Sequence, residues 1–263
     1  MKNQTKRQKC FILIIFLILF FIVNYSYINN KLNEFFSNSD EVHIDRVIDG
    51  DTVVSEEQKI RLLGINTPER DEQYYEQAKK FLEDKILNKS VKLVYGRNKK
   101  DRYGRTLAYV FLNGKNMNKE LVEEGLANIY FPSGKDIYYK DFLDAWKKCI
   151  TLNKNLCKKS QEICARCIKL KNLDYKNEEI YLKNTCNFEC DLTNWTIKDE
   201  GRKKFKFGNF ILNPNKEILI KTGKQNNVSG IIFWGKYDSV WTDTGDTLFL
   251  RDNENDLVLW YSY

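Results

Sequence analysis

Carboxylates, arginines and a tyrosine gather in three short runs of this 263-residue chain: Asp49-Gly50-Asp51-Thr52, then Arg61-Leu62-Leu63-Gly64-Ile65-Asn66-Thr67-Pro68-Glu69, then Asp101-Arg102-Tyr103-Gly104-Arg105. Asp51 opens a strand, where its carboxylate can hold a hard cation. Arg61 and Arg105 offer planar donor forks that suit phosphate. Glu69, beyond the rigid Thr67-Pro68 turn, can accept a proton from an attacking water. Cutting a phosphodiester needs a nucleophile, neutralised charge on the phosphoryl oxygens and in-line positioning. Each residue alone has a plainer explanation: Asp-Gly is a turn, Arg105 a surface cation, Arg61 the partner of a local carboxylate. Three ordered motifs together favour the chemistry.

Other chemistries are excluded early. The chain has one histidine, His43, so His-pair acid–base catalysis and zinc sites built on two histidines are out. His43 lies in the alternating run Glu41 to Asp45 and reads as a strand-face residue. No Gly-rich phosphate loop is present, so no nucleotide cofactor is expected. Hydrophobic residues make up 42% and charged residues 30%, an ordinary globular balance, and the length suits two domains. The net charge of +7 is compatible with a polyanionic partner and equally with a lysine-rich composition.

The elements that must hold these residues follow from periodicity. Val42–Ile48 predicts a strand, Asp49-Gly50 a hairpin turn, Asp51–Val54 the return strand and Lys59–Ile65 a third strand, stopped by Pro68, which has no donor N–H. Tyr75, Ala78, Lys79, Leu82 and Ile86 mark a helix from Tyr74 to Leu87. Val91–Tyr95 and Thr106–Leu112 are strands, and Asn118–Glu124 and Asp136–Lys148 helices. Five strands with helices among them suggest an oligonucleotide-binding-type five-stranded barrel, an α+β unit over residues 41–150 of a mainly β chain.

In its three motifs, and in Gly125-Leu126-Ala127 after the second of these helices, the chain resembles the staphylococcal nuclease (thermonuclease) family across roughly residues 42–150. The resemblance implies calcium held by Asp51, the residue at position 66 and the Thr67 carbonyl. It further implies Glu69 as general base, Arg61 and Arg105 on the phosphate, and cleavage of DNA and RNA at the 5′ oxygen–phosphorus bond. Tyr103 and its neighbour Arg102 are candidate substrate contacts. The family usually has aspartate where this chain has Asn66; an amide oxygen still ligates calcium but adds no charge, so weaker metal affinity is expected. The segment between Glu69 and the first helix is short, which implies a reduced flap.

Residues 168–263 read differently: about eight short strands separated by turn signals, with no clear helix, which is the pattern of a β-sandwich. Glu179–Asn184, Asp191–Asp199 and Trp241–Asp252 resemble the lamin-tail domain family, an immunoglobulin-like fold. Trp195, Trp234 and Trp241 are expected in its core, and Asp243 and Asp246 at a turn. Lys203, Lys204 and Lys206, beside Phe205 and Phe207, form either a basic strand face or a lysine-guarded edge.

Two further segments bear on location. Lys2, Lys6, Arg7 and Lys9 precede the apolar run Cys10 to Val23. With the tyrosine-rich flank this reaches bilayer length and shows no small-x-small cleavage site, so residues 1–28 are read as a cytoplasmic basic tail and uncleaved signal anchor. Residues 29–40 are a polar stalk. Everything beyond then lies outside the cytoplasm, on a single-pass cell-membrane protein. Residues 151–167 form a cysteine-rich linker. Cys164-x2-Cys167 and Cys186-x3-Cys190 have either disulfide or zinc-ligand character; a hairpin turning at Tyr175-Lys176-Asn177 brings all four to one end, and the export signal favours disulfides. Cys149 and Cys157 are a candidate third pair.

The sequence thus predicts a membrane-anchored, outward-facing, calcium-dependent endonuclease acting on nucleic acid, with a lamin-tail appendage. The rival is a surface protein that binds nucleic acid without cutting it.

Overall fold

The computed structural model describes residues 39–235 and 239–263, together with Phe11, residues 13–16, Phe20, Asn24 and Tyr25. Most of the expected anchor and stalk lies outside the described residues. Among the described residues no helix is long and apolar enough to cross a membrane.

The first half is a curled sheet with helices packed on it. Its strands are β1 (Ser39–His43), β2 (Arg46–Asp49), β3 (Thr52–Ser55), β4 (Gln58–Leu62), β6 (Ser90–Lys100), β7 (Thr106–Leu112) and β8 (Lys115–Asn116), and a separate pair joins β5 (Gly64–Asn66) to β9 (Asn128–Tyr130). The hydrogen-bonded order is β1-β6-β7-β4-β3-β2, with β8 on β7. This corrects the expected five-stranded barrel: the sheet has seven strands and no closed ladder. The reason lies at Ile44–Asp45, where one continuous run changes partners. Ile44 N–H donates to Lys89 at 3.0 Å and Asp45 N–H to Val54 at 2.9 Å, on opposite sides of the curl. The two ends of the sheet are therefore joined by the chain itself rather than by pairing.

The expected third strand also breaks. After Leu62 the chain turns at Gly64, whose φ of +76° suits glycine, and a Cβ there would come within 3.0 Å of Phe131. Residues 64–66 then pair with β9, a strand the sequence did not announce. This break turns Asn66 and Thr67 inward. Gly50 serves the same end by close approach, since a Cβ on it would meet Ala78 at 2.6 Å and Thr67 at 2.8 Å.

Helix α1 (Tyr75–Ile86) buries Ala78, Leu82 and Ile86, one stripe at helical spacing. The shorter α2 (Met117–Glu123) is capped by the Asn116 side chain, which accepts from Lys119 N–H. Helix α3 (Tyr139–Leu152) buries Phe142, Ala145, Trp146 and Cys149.

The second half is a sandwich. One sheet has the order β10-β11-β16-β17, formed by Ile168–Asp174, Glu179–Asn184, Glu217–Lys221 and Ile231–Phe233. The other is β14-β13-β18-β19, formed by Lys204–Lys206, Thr196–Lys198, Thr247–Arg251 and Leu257–Ser262. A short pair, β12 (Cys190–Asp191) with β15 (Ile211–Leu212), closes one end. Trp195, Ile197, Phe207, Trp234 and Trp241 are in its core. Disulfides join Cys149 to Cys157, Cys164 to Cys190 and Cys167 to Cys186, leaving none of these six sulfurs for zinc.

The halves share apolar contacts. Phe249 and Leu257 of the sandwich belong to the core of the first half. Trp146 meets Phe249 edge-on at 5.4 Å and Trp260 at 6.3 Å. Lys158 pairs with Asp256 at 2.7 Å across the same junction.

Candidate functional site

The break after Leu62 and the turn at Gly50 bring the first two motifs together. Asp51 and Arg61 form an ion pair at 2.9 Å, their side chains 6% and 8% exposed. The same Asp51 oxygen accepts from Thr67 N–H at 3.1 Å and from the Thr67 hydroxyl at 3.2 Å. Its other oxygen accepts from the Thr52 hydroxyl at 3.1 Å. Arg61 also donates to the carbonyls of Leu62 (2.6 Å) and Ile65 (2.9 Å) and to Asn66 Oδ1 (3.2 Å). Burial pulls the Arg61 guanidinium below its ordinary pKa, with the Asp51 charge opposing and the Arg105 charge adding to the fall. Arg61 nonetheless remains a cation.

Asp49, read from sequence as a turn residue, belongs to this cradle. Its Oδ1 accepts from Asp51 N–H at 3.1 Å, and burial followed by repulsion from Asp51 raises its carboxyl above the usual range. The approaching carboxylate pair was invisible because Asp-Gly satisfies a hairpin without further help.

Asp51, Asn66 and Thr67, the expected calcium ligands, are neighbours, and all offer hard oxygens. Directly across the β5–β9 ladder from Asn66 lies Asn128, whose buried Oδ1 has no hydrogen-bond partner among the described residues. An unpartnered oxygen on that face suits a cation. The donor types therefore fit calcium. Their charge fits it less well, because Arg61 neutralises Asp51, and no group of three acidic, histidine or cysteine residues able to hold a metal occurs among the described residues.

The third motif forms the rim. Asp101 ties its own loop by accepting from Tyr103 N–H (2.9 Å) and Arg105 N–H (3.0 Å), and pairs with Arg105 Nε at 2.7 Å. Burial would raise the Asp101 carboxyl, but these hydrogen bonds, that of the Arg105 side chain foremost, hold it below its ordinary value. Tyr103 is 68% exposed. Arg102 lies over its ring at 4.8 Å and donates to its hydroxyl at 2.6 Å, and Arg105 faces the same ring at 5.7 Å. An exposed ring flanked by two guanidiniums is suited to a base and its phosphates.

Glu69 is also at the rim, and its partner comes from the other domain. Arg202 Nε lies 2.7 Å from Glu69 Oε1. Asn66 Nδ2 donates to the Gly201 carbonyl at 2.9 Å, and Phe131 N–H donates to Glu200 Oε1 at 2.9 Å. The short segment after Glu69 is clamped as well: Glu72 faces Lys198 at 3.6 Å and Lys204 at 3.7 Å, and Gln73 accepts from Asn255 at 3.1 Å. No local spacing signals these contacts, since their partners lie 69 to 182 residues apart.

Three carboxyls, Asp199, Glu200 and Asp246, are buried beside these contacts. Burial, then the Asp246 charge, pushes Asp199 up to about 7 and Glu200 up to about 8. Burial also raises Asp246, which accepts from Glu200 N–H at 3.1 Å and Thr247 N–H at 2.7 Å.

Family models match both halves: staphylococcal nuclease homologue over residues 59–159 and Lamin Tail Domain over residues 165–263. The chain is 35% identical over 130 residues to a thermonuclease of Staphylococcus hyicus, covering 46% of this chain and 77% of that one. It is 39% identical over 105 residues to a thermonuclease of Staphylococcus intermedius, covering 36% and 62%. An uncharacterized endonuclease of Haemophilus influenzae is 36% identical over 99 residues, covering 36% and 54%.

Proposed function

The chain belongs to the staphylococcal nuclease family, with a lamin tail domain following the nuclease fold, and on that premise we propose a calcium-dependent endonuclease that hydrolyses DNA and RNA outside the cytoplasmic membrane. It is a nuclease, a phosphodiester hydrolase. The observation that carries the finer reading is the buried Asp51–Arg61 cradle, which Thr67 joins, with Arg105 close enough for its charge to act on Arg61 and Glu69 two residues beyond Thr67.

Glu69 takes a proton from water as the oxygen attacks phosphorus. The bond from phosphorus to the 5′ oxygen breaks, and the leaving oxygen takes up a proton from solvent. Arg105 binds a phosphoryl oxygen, and the Arg61 charge, fixed behind Asp51, stabilises the charge that builds there. Tyr103 and Arg102 hold the strand at the rim by stacking and charge. Asp51, Asn66 and Thr67 would hold calcium, which supplies further positive charge to the phosphoryl group when bound.

Location is part of the proposal. It rests on the basic flank and apolar run at the N-terminus, which anchor the chain in the membrane with the nuclease outside, and on three disulfides, which persist in oxidising compartments. The reading as a non-catalytic nucleic-acid binder draws on Asn66 and on the neutralised Asp51. A plasmid-nicking assay on the full chain, with calcium and with chelator, decides between them. Nicking that needs calcium is expected; binding without nicking in either condition would establish the rival.

A further inference from the structure

The loop from Asp199 to Lys203 joins β13 to β14 and reaches across the domain boundary into the nuclease site. Its contacts there are of two kinds. Glu200 on Phe131 and Gly201 on Asn66 are interior contacts, with Glu200 8% and Asn66 2% exposed. Arg202 on Glu69 is an outer contact, its side chain 64% exposed against 47% for Glu69. Glu200 and Gly201 tie the loop to the nuclease half, and Phe249 and Leu257 tie the sandwich that carries it to the nuclease core. The loop is a fixed wall of the site rather than a removable plug.

On this wall the Arg202 side chain is the part free to move. An exposed ion pair of this kind contributes little, so a better acceptor displaces it readily. A phosphodiester of a strand already held at other points is such an acceptor, its two non-bridging oxygens sharing one negative charge across the guanidinium fork. The other site arginines are more committed. Arg61 is buried and donates to Leu62, Ile65 and Asn66 beside its Asp51 pair, and Arg105 is held by Asp101. The Tyr130 hydroxyl feels the charges of both Arg61 and Arg202, and Asn66, which accepts from Arg61, donates to Gly201 beside Arg202, so the two arginines flank one region.

We propose that Arg202 is a substrate-binding residue that the lamin tail domain supplies to the nuclease site. It rests on Glu69 in the free protein and passes to a backbone phosphate when a nucleic-acid strand binds, which leaves Glu69 Oε1 open to water. The second half of this statement rests on Glu69 being the base; the first half concerns binding alone.

The test is fluorescence anisotropy on the full chain with a labelled single-stranded oligodeoxynucleotide, in chelator so that the strand stays intact, across a salt series. Arg202→Ala is expected to weaken binding about tenfold, the scale of one charge-assisted hydrogen bond. It should also make the slope of log affinity against log salt shallower by about 0.7, the value for one phosphate contact on a single strand. Arg202→Lys should recover the salt slope and only part of the affinity, because lysine keeps the charge and loses the fork. With calcium present, Arg202→Ala should raise KM by a similar factor and leave kcat within about twofold. Unchanged affinity and salt slope in Arg202→Ala would overturn the proposal, as would tighter binding with a raised kcat/KM, the mark of an inhibitory lock. A wild type that neither binds nor cuts the strand would overturn it too. A wild type that binds but does not cut refutes the nuclease reading and leaves the binding result standing.

Discussion

The site has a buried floor and an exposed rim, and the two obey different physics. On the floor, Asp51, Arg61, Asn66 and Thr67 are all less than a tenth exposed and satisfy one another. At the rim, Glu69, Arg102, Tyr103, Arg105 and Arg202 stand in water or at its edge. The floor residues therefore hold the fold as much as they serve any reaction, and a mutation there mixes lost stability with lost activity. The rim residues can be changed with the fold intact, so their role in turnover can be read cleanly. The loop from Asp199 to Lys203 repeats the division, with Glu200 inside and Arg202 outside.

The sharpest test of this contrast is Arg61→Ala. It leaves the Asp51 carboxylate buried without its countercharge, a change that typically costs about 3–5 kcal/mol. Urea denaturation of the variant should show that loss; a stability equal to wild type would mean the floor is not structural and would erase the distinction.

Next in size is Glu69→Gln at the rim. Turnover should fall at least roughly a hundredfold, the scale of a lost general base, while the urea midpoint stays close to wild type. Cleavage near the wild-type rate would remove Glu69 from the mechanism, and a large drop in stability would move it to the floor.

The buried carboxyls give a smaller, pH-dependent effect. A carboxyl raised in the folded state keeps a proton that the unfolded chain gives up. For Glu200, raised from 4.5 to about 8, the folded state is at no disadvantage below the ordinary carboxyl range. It loses stability as pH rises through that window, and the loss levels off above the folded value. Asp199, raised to about 7, acts in the same direction. The wild-type urea midpoint should therefore fall as pH rises from about 4.5 to about 8, and Glu200→Gln should flatten the fall. Equal pH dependence in the two proteins would show that Glu200 does not titrate at the junction.

Smallest is Tyr103→Ala. Loss of one stacking platform should raise KM by about ten- to a hundredfold for a single-stranded substrate, with kcat and stability nearly unchanged. An unaltered KM would take Tyr103 out of the substrate contact.

How legible each part was follows from how local its cause is. The hairpin at Asp49-Gly50, the stop at Pro68 and the stripe of Ala78, Leu82 and Ile86 are written in adjacent residues or one helical turn, and they were readable. The break at Gly64 was not, because its strand partner lies some 60 residues on and an apolar run through Ile65 looks continuous. Counting strands suggested a barrel, but whether a ladder closes depends on partner exchange at Ile44–Asp45, which no periodicity reports. The rim contact of Glu69 was hidden for the same reason. Lys204, read as part of a strand face or edge, and Arg202, not singled out, both meet glutamates of the other domain. Charge pairs across a domain boundary leave no spacing to read.

The edge-on packing of Trp146 against Phe249 and Trp260 has a consequence for how the molecule comes apart. Residues 151–167 look like a hinge along the sequence, yet the chain on either side is expected to melt as one cooperative body, because separating the halves would strip the largest ring of α3 of its cover. Heating should give a single transition rather than two, and a protease nick in that linker should leave a species still held together. The nuclease fold here is thus half of a thermodynamic unit, and its tail is a partner in its folding rather than a passenger.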